Sequence, residues 1–531
     1  MERHGSESYF IEGEGLLTES GGGRDGEVPA ALAGAAVAAA TPPFRFSRMG
    51  PKGTGRQLGE ANLRKIANEM AAGGGGAAGI PAGFTYLSQF IDHDLTFDKT
   101  SAMFGASVSP TQMLQARSPS LDLDSLYGAG PGDPVSAKFY EPDGLHLKMG
   151  KTVAAEGIPA KDGFDLPRGL GNSQAKKKKA VIPDPRNDEN LAVAQTHLAF
   201  IRFHNRVVDT LPASVPPSQR FQEARELVTR HYQWMIRTDY LPRICAAGVL
   251  NSVFNQGRKV FEVGVPPTAV PTMPIEFSVA AFRLGHSMIR RAYNWNSRFD
   301  FGAGTLDWLF IFSAGGGDLF GEQRLASNWI ADWRRLYNFK QANKPDLAVP
   351  ANQFNRAMRI DTTLVNPLKT LPPETFGGPA GMGANNPQRN LAFRNLTRAR
   401  MVKLATGQQM ARFIRNKGVT VTRLNKGQIQ NGNNGADLSS LTQAQRSAFL
   451  TDTPLWFYIL REAELNRGKL KAVGGRIVAE TFHRAIEGSQ TSIVRDPTWR
   501  PTLGPNNNTF RMVDLLLFAF EGKKSLLAPT G

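Results

Sequence analysis

Apolar residues recur at helical spacing along most of this chain, and strict apolar–polar alternation is scarce. Phe84, Leu87, Phe90 and Ile91 fall three and four apart, which predicts a buried helix over Phe84–Leu95. Leu58–Ala72 has the same period and stops at the run Gly73–Gly76. Leu191, Ala194, Leu198, Ile201 and Val208 make one face of a long amphipathic helix from about Asp188 to Leu211. A further helix is predicted over Phe221–Leu241 with Pro242 as its stop. Ile275–Arg291, Asn328–Leu336, Asn390–Arg415, Leu455–Asn466 and Ile477–Ile486 carry the same signature. Strand signals are few and short, and residues 105–185 are rich in Gly, Pro and Ser. The expectation is a mainly α protein without sequence repeats.

Composition narrows this picture only a little. The chain has 531 residues, for which the length prior is about three domains, but no linker divides it. At 41% apolar and 21% charged it can bury a large core. One cysteine, Cys245, excludes an intramolecular disulfide framework and any Cys-only zinc or iron–sulfur site. The net charge of +17 favours contact with anionic surfaces or solutes. The Lys176–Lys179 run lacks aromatic interleaving, so a specific nucleic-acid partner is not expected. Residues 1–45 read as a flexible N-terminal arm and 46–531 as one domain. Glu2, Glu7, Glu12, Glu14 and Glu19 do not suit the basic start of a signal peptide. Neither the alanine-rich run Ala30–Ala40 nor Leu515–Phe520 is long or apolar enough for a transmembrane segment. A soluble protein is expected, with cytoplasmic residence and non-classical export both open.

Candidate chemistry begins with the eight histidines, none of which forms an HExxH or similar zinc pattern. His4 falls in the arm and His146 in a loop, while His197, His204, His231 and His483 sit on predicted helices as hydrogen-bonded structural residues. His93 differs because Asp92, His93 and Asp94 lie together on an otherwise apolar helix, where each needs a partner. Solvated acids at a helix end and a polar cluster facing a cofactor are equally open readings of that trio. His286 differs because apolar residues flank it. Gly285 beside it leaves room for a flat group, and Arg283 can pair with a carboxylate one turn away. Both features suit an axial haem ligand with a propionate nearby.

Several motifs then resemble one family. Tyr86-Leu-Ser-Gln89-Phe-Ile-Asp92-His93-Asp94 is similar to the distal-helix motif of the animal haem peroxidases, the superfamily of myeloperoxidase, lactoperoxidase and the cyclooxygenases. Pro183-Asp184-Pro185-Arg186-Asn-Asp-Glu189-Asn190 resembles the second distal motif, followed by His204-Asn205-Arg206. Arg283-Leu-Gly-His286 resembles the proximal motif, and Asn390-Leu-Ala-Phe-Arg-Asn395-Leu-Thr-Arg398 the segment that supports it. The similarity continues through Asp452-Thr-Pro-Leu-Trp456 and Val473-Gly-Gly-Arg476, in the family's order. It covers roughly residues 45–520 and looks nearest to the bacterial members.

The resemblance implies a large, mainly α single domain around a central haem b, with few short strands. It implies an enzyme that reduces hydrogen peroxide and oxidises halide, pseudohalide or small organic donors through a high-valent iron intermediate. By the same resemblance His286 ligates the iron, Asn395 accepts from its ring N–H, His93 is the acid–base group, Arg186 the fixed cation and Gln89 the distal glutamine. Arg283 and Arg398 attend the cofactor, and Asp92 and Glu189 match the carboxylates that can form ester links to haem. Asn190 stands where myeloperoxidase has the methionine of a third link, so that link is not expected. Asp94, Ser118, Ser120, Asp122 and Asp124 match the family's calcium loop. Oxygenase members carry a tyrosine three residues before the proximal histidine. Arg283 occupies that place, which disfavours a fatty-acid oxygenase. The remaining alternative is a non-catalytic, basic, peroxidase-like binding or adhesion module.

Overall fold

Helices that the hydrophobic period predicts form the frame of the computed structural model, which describes residues 44–54, 58–73, 75–100, 102–169, 172–371 and 383–531. Of the expected arm over residues 1–45, all but the last two residues lie outside that set. The principal helices are α1 (Glu60–Met70), α2 (Gly83–Leu95), α3 (Leu191–Thr210), α4 (Arg220–Met235), α5 (Leu391–Met401), α6 (Gly407–Asn416), α7 (Leu455–Leu465), α8 (Val473–Glu487) and α9 (Met512–Ala519). Strands are confined to pairs: Phe46–Ser47 runs parallel to Met273–Pro274, and three other pairs are antiparallel. Among the described residues no helix is long and apolar enough to cross a membrane.

One continuous apolar core joins these elements. Helix α2 lies at its centre, packed on α3, while α3 also carries α4 and α9. Every residue of α2 is buried except Gln89 and Asp92, which is how a helix that is apolar almost all round must sit. On the other side α7 packs against α5, α6 and α8, and the short helix Gly285–Met288 touches α2.

Four predicted helices differ from what forms. Ile275–Arg291 breaks into Ile275–Ser278, a tighter turn Ala281–Leu284 and Gly285–Met288. Its carbonyls are diverted to side chains: Ser278 O accepts from Arg283 Nε at 2.9 Å and Arg283 O from Trp456 Nε1 at 3.3 Å. After α4 the chain widens into a π turn over Ile236–Tyr240. Pro242 then sits in the first turn of Leu241–Ile244, where its missing N–H is not needed, so it begins a helix rather than stopping one. Asn390–Arg415 is α5 and α6, separated at Lys403, whose φ is +48°. Asn328–Leu336 contributes only the turns Ser327–Trp329 and Trp333–Leu336.

Phe90 anchors α2 to its neighbours. Its ring stacks on Phe200 of α3 at 4.4 Å and meets Tyr232 of α4 edge-on at 6.3 Å. Phe90→Ala should therefore lower stability by about 3–5 kcal/mol in denaturant unfolding; a loss under about 1 kcal/mol would mean that these rings do not bind the helices together.

Candidate active site

A cleft lies among α2, the segment that follows Asp184, the short turns over residues 275–288 and α5. Gln89, Asp92, His93, Arg186, Glu189 and Asn190 line one part of it; Arg283, Gly285, His286, Asn395 and Arg398 line another. Every residue assigned above to catalysis or cofactor binding is on this wall.

The His93 side is held by a buried ion pair. Asp184 caps the turn Pro185–Asp188 by accepting from Arg186 N at 3.1 Å. Its carboxylate also accepts from Arg186 Nε at 3.0 Å, Arg186 Nη2 at 2.7 Å and Arg117 Nη2 at 2.6 Å. Burial alone would raise the Asp184 carboxyl, but Arg186 and Arg117 outweigh it and hold it well below the usual carboxylate range. Arg186 Nη2 further donates to His93 O at 3.1 Å and Thr96 O at 2.6 Å, and its guanidinium lies 4.3 Å from the centre of the Phe97 ring. Nη1 is the guanidinium nitrogen left for the cavity.

Burial, reinforced by the Arg186 charge, pushes the His93 imidazole down to about 3, so the ring is neutral near pH 7. Asn187 Oδ1 lies 2.8 Å from its Nδ1. Gln89 is positioned by Asn190, whose Nδ2 donates to Gln89 Oε1 at 3.0 Å while Asn190 Oδ1 caps α3 at Val193 N. Burial raises the Glu189 carboxyl to about 8, with Arg186 opposing. Burial also raises Asp92, against Arg283 and Arg186.

On the other side Asn395 Nδ2 lies 2.8 Å from Nδ1 of His286, so as placed the amide donates to the ring rather than accepting from it, contrary to the expectation from the sequence. Trp456 backs the same imidazole, ring centres 6.4 Å apart. Burial pushes His286 down to about 3, with Arg283 adding to the effect. A Cβ placed on Gly285 would meet only Ser88 Oγ, at 3.6 Å, so the position opens onto the cleft. Arg398 is paired with Asp98, which also lines the cleft.

The five calcium-loop positions are less well assembled. Asp94 and Asp124 interact, and burial first and Asp124 second raise the Asp94 carboxyl to about 7. Asp94 Oδ1 accepts from Ser125 N and Oγ at 3.2 and 3.0 Å. Ser118 Oγ is buried without a partner among the described residues. Asp122 Oδ1 instead accepts from Gln490 N at 2.9 Å, and Ser120 Oγ donates to Gly488 O at 3.2 Å. Among the described residues no three His, Cys, Asp or Glu side chains converge as a metal site.

Sequence reasoning missed Asn187, Asp184 and His197 as parts of the site. Asp184 and Asn187 were visible only as letters within a motif, and His197 only as a helix histidine. No periodicity marks a residue whose partners are more than 60 positions away, as Arg117 is from Asp184.

Residues 80–306 match the animal haem peroxidase family model. Rat thyroid peroxidase is 29% identical over 201 residues, which is 35% of this chain and 21% of that protein. A peroxidase-like protein of Margaritifera margaritifera is 30% identical over 114 residues, 21% of this chain and 14% of that protein. This chain thus spans about a fifth of the length of the thyroid peroxidases it matches. Among solved structures, peroxidase A from Dictyostelium discoideum superposes with TM-score 0.56 at 14% identity, over 91% of this chain and 94% of that one. A fatty acid alpha-dioxygenase of Oryza sativa superposes with TM-score 0.50 at 10% identity, over 90% and 80%. At these identities the two structures speak for the fold alone.

Asp184→Asn leaves two buried guanidiniums short of a charge and should cost about 3–5 kcal/mol at pH 7. Because the folded-state carboxyl is depressed, its contribution is present above the unfolded pKa and fades as pH falls below about 4. The variant's loss should accordingly shrink in urea titrations at pH 3; an equal loss at both pH values would sink the ion-pair account.

Proposed function

We propose that this chain, whose residues 80–306 match the animal haem peroxidase family, is a haem-dependent peroxidase of that superfamily. It reduces hydrogen peroxide and oxidises halide, pseudohalide or small organic donors. The observation that carries this reading is the sharing of one cleft by two imidazoles, His93 with the Arg186 guanidinium beside it and His286 with an amide behind it.

The residues present fit haem. Gly285 offers a face without a side chain on the cleft wall. Asn395 Nδ2 faces His286 Nδ1 in this structure, opposite to the expected acceptor; the amide turned end for end would accept from Nδ1–H, leave the Nε2 lone pair for iron and strengthen it as a donor. Arg283 and Arg398 are the wall cations for the cofactor's carboxylates. Haem bound here supplies the redox iron that takes oxidising equivalents from peroxide and returns them to a donor.

On the opposite face His93 Nε2 accepts the proton of the peroxide oxygen that binds and returns it to the oxygen that departs. Arg186, fixed by Asp184, His93 O and Thr96 O, stabilises the negative charge that develops as the O–O bond breaks, at no reorganisation cost. Gln89 orders water and small anions beside it. Asp92 and Glu189, both on the wall, are the carboxylates that would form ester links to haem. Arg283, three residues before His286, has no phenol to carry a radical, which opposes an oxygenase reading despite the dioxygenase-like fold. A bare binding module would have no use for a buried ion pair holding a guanidinium beside a neutral imidazole.

Calcium is a further proposal, resting on Asp94, Asp124 and Ser118, since Asp122 and Ser120 bond elsewhere in this structure. A cation would relieve two buried carboxylates side by side.

Purified protein loaded with haem should show a Soret band that shifts with hydrogen peroxide and returns with a phenolic donor. His93→Gln should keep the band and slow the peroxide step by about 10²–10⁴-fold. Absence of a band after proper loading ends the haem reading, and a band indifferent to peroxide ends the roles of His93 and Arg186. Haem that stays with the chain in acidic solvent, and is freed by Asp92→Asn with Glu189→Gln, would establish the ester links; complete extraction from the wild type would refute them. Removal of calcium by a chelator should lower the melting temperature, and an unchanged melting curve would reject the ion.

A further inference from the structure

Three polar side chains stand in a row behind the peroxide-side wall. Asn187 Oδ1 lies 2.8 Å from Nδ1 of His93, and Asn187 Nδ2 lies 2.9 Å from Nδ1 of His197. Asn187 and His197 have no exposure at all. An amide oxygen only accepts and an amide nitrogen only donates. His93 therefore carries its proton on Nδ1 and leaves Nε2 as a bare lone pair. His197 accepts on Nδ1, so its own proton is on Nε2, which is buried without a partner among the described residues. A buried polar atom left unpaired is a standing cost that asks for a reason.

We propose that Asn187, backed by His197, selects the ring nitrogen on which His93 can accept a proton. The proposal rests on the reading of His93 as the acid–base group. Asn187 is a positioning residue in this scheme, because it touches His93 and not the reacting atoms. When His93 Nε2 takes a proton from peroxide, Nδ1–H remains bonded to the amide oxygen, which stabilises the imidazolium; Nε2 then gives the same proton back. Turning the amide end for end would present N–H to His93 Nδ1, move that ring's proton to Nε2 and remove the base. The turn would also force the His197 proton from Nε2 to Nδ1. His197 Nδ1, by accepting from the amide, holds Asn187 in the productive orientation. Its orphaned Nε2–H is what that orientation costs.

The test uses haem-loaded wild type, N187L, N187D and H197F in stopped-flow absorbance with three ligands. Hydrogen peroxide and hydrogen cyanide each bring a proton that must be accepted, whereas carbon monoxide binding to the reduced protein brings none. N187L should slow the first two by about 10–100-fold, within the range of lost general-base catalysis, and leave carbon monoxide unchanged. N187D keeps an acceptor for His93 Nδ1–H and should restore the cyanide rate. H197F, which leaves both amide orientations open, should fall between N187L and wild type. Wild-type rates in N187L would overturn the proposal, as would N187D as slow as N187L. Carbon monoxide slowed along with the others would make Asn187 a packing residue and overturn it too. Wild type that binds cyanide but ignores peroxide would instead sink the peroxidase reading, and the cyanide and carbon monoxide comparison would still decide the role of Asn187.

Discussion

Asp184 is a carboxylate without exposure that answers to two guanidiniums, Arg117 at 2.6 Å and Arg186 at 2.7 Å. Alone in that position the charge would cost several kcal/mol or be lost to protonation. Paired, it becomes the fixed point from which the rest of the wall is measured. Through Arg186 Nη2 it reaches His93 O and Thr96 O and so ties the turn Pro185–Asp188 to the last turn of α2. These two segments, joined by bonds between residues 90 and 93 positions apart, carry His93, Asp92 and Gln89 on one side and Arg186, Asn187, Glu189 and Asn190 on the other. The bidentate pair with Asp184 fixes the guanidinium that makes those two bonds.

The same burial that makes the pair necessary sets the charge state of the cleft. Desolvation drives the imidazoles of His93 and His286 down and the carboxyls of Asp92 and Glu189 up, in each case toward the neutral form. Arg186 alone of this group is driven further into its charged form, by Asp184. The result is a cleft whose imidazoles and carboxyls favour their neutral forms around the fixed Arg186 guanidinium. In such surroundings a guanidinium acts over a greater distance than it would in water, so its effect falls on whatever negative charge forms nearby. A neutral imidazole at the same time keeps a lone pair on offer. Both properties follow from one cause, the exclusion of water.

Much of this was legible in the sequence, and unevenly so. Helices α2, α3, α7 and α8 follow from apolar spacing because each keeps one continuous face against the core. His93, Arg186, His286 and Asn395 came from short motifs whose spacing survives without knowledge of the fold. Ile275–Arg291 did not read correctly, since its pattern is helical but its carbonyls are claimed by Arg283, Ser287 and Trp456 side chains. Pro242 was misread for a related reason: a proline forbids a helix interior, and nothing local says that a new helix begins there. The loop Ser118–Asp124 offered four oxygen-bearing side chains at alternate positions, yet two of them turn to Gly488 and Gln490, partners that only the folded chain supplies.

A glycine run shows the same limit from the opposite direction. Gly315, Gly316 and Gly317 follow the helix Leu306–Ile311, whose Leu306 and Phe310 line the cleft. By composition three glycines in a row suggest slack. In the fold they are a close contact: Gly315 N donates to Asp188 O at 2.8 Å. A Cβ on Gly315 would stand 2.7 Å from Asp188 O, one on Gly316 1.9 Å from Glu189 O, and one on Gly317 2.5 Å from Ile311 Cα. None of the three has the positive φ that usually explains a glycine, so the requirement is space alone. Backbone laid against backbone at residues 188 and 189 supports Glu189 from behind, on the side away from the cleft wall it lines. The wall is therefore backed by a segment with no side chains, and its precision comes from what those residues lack.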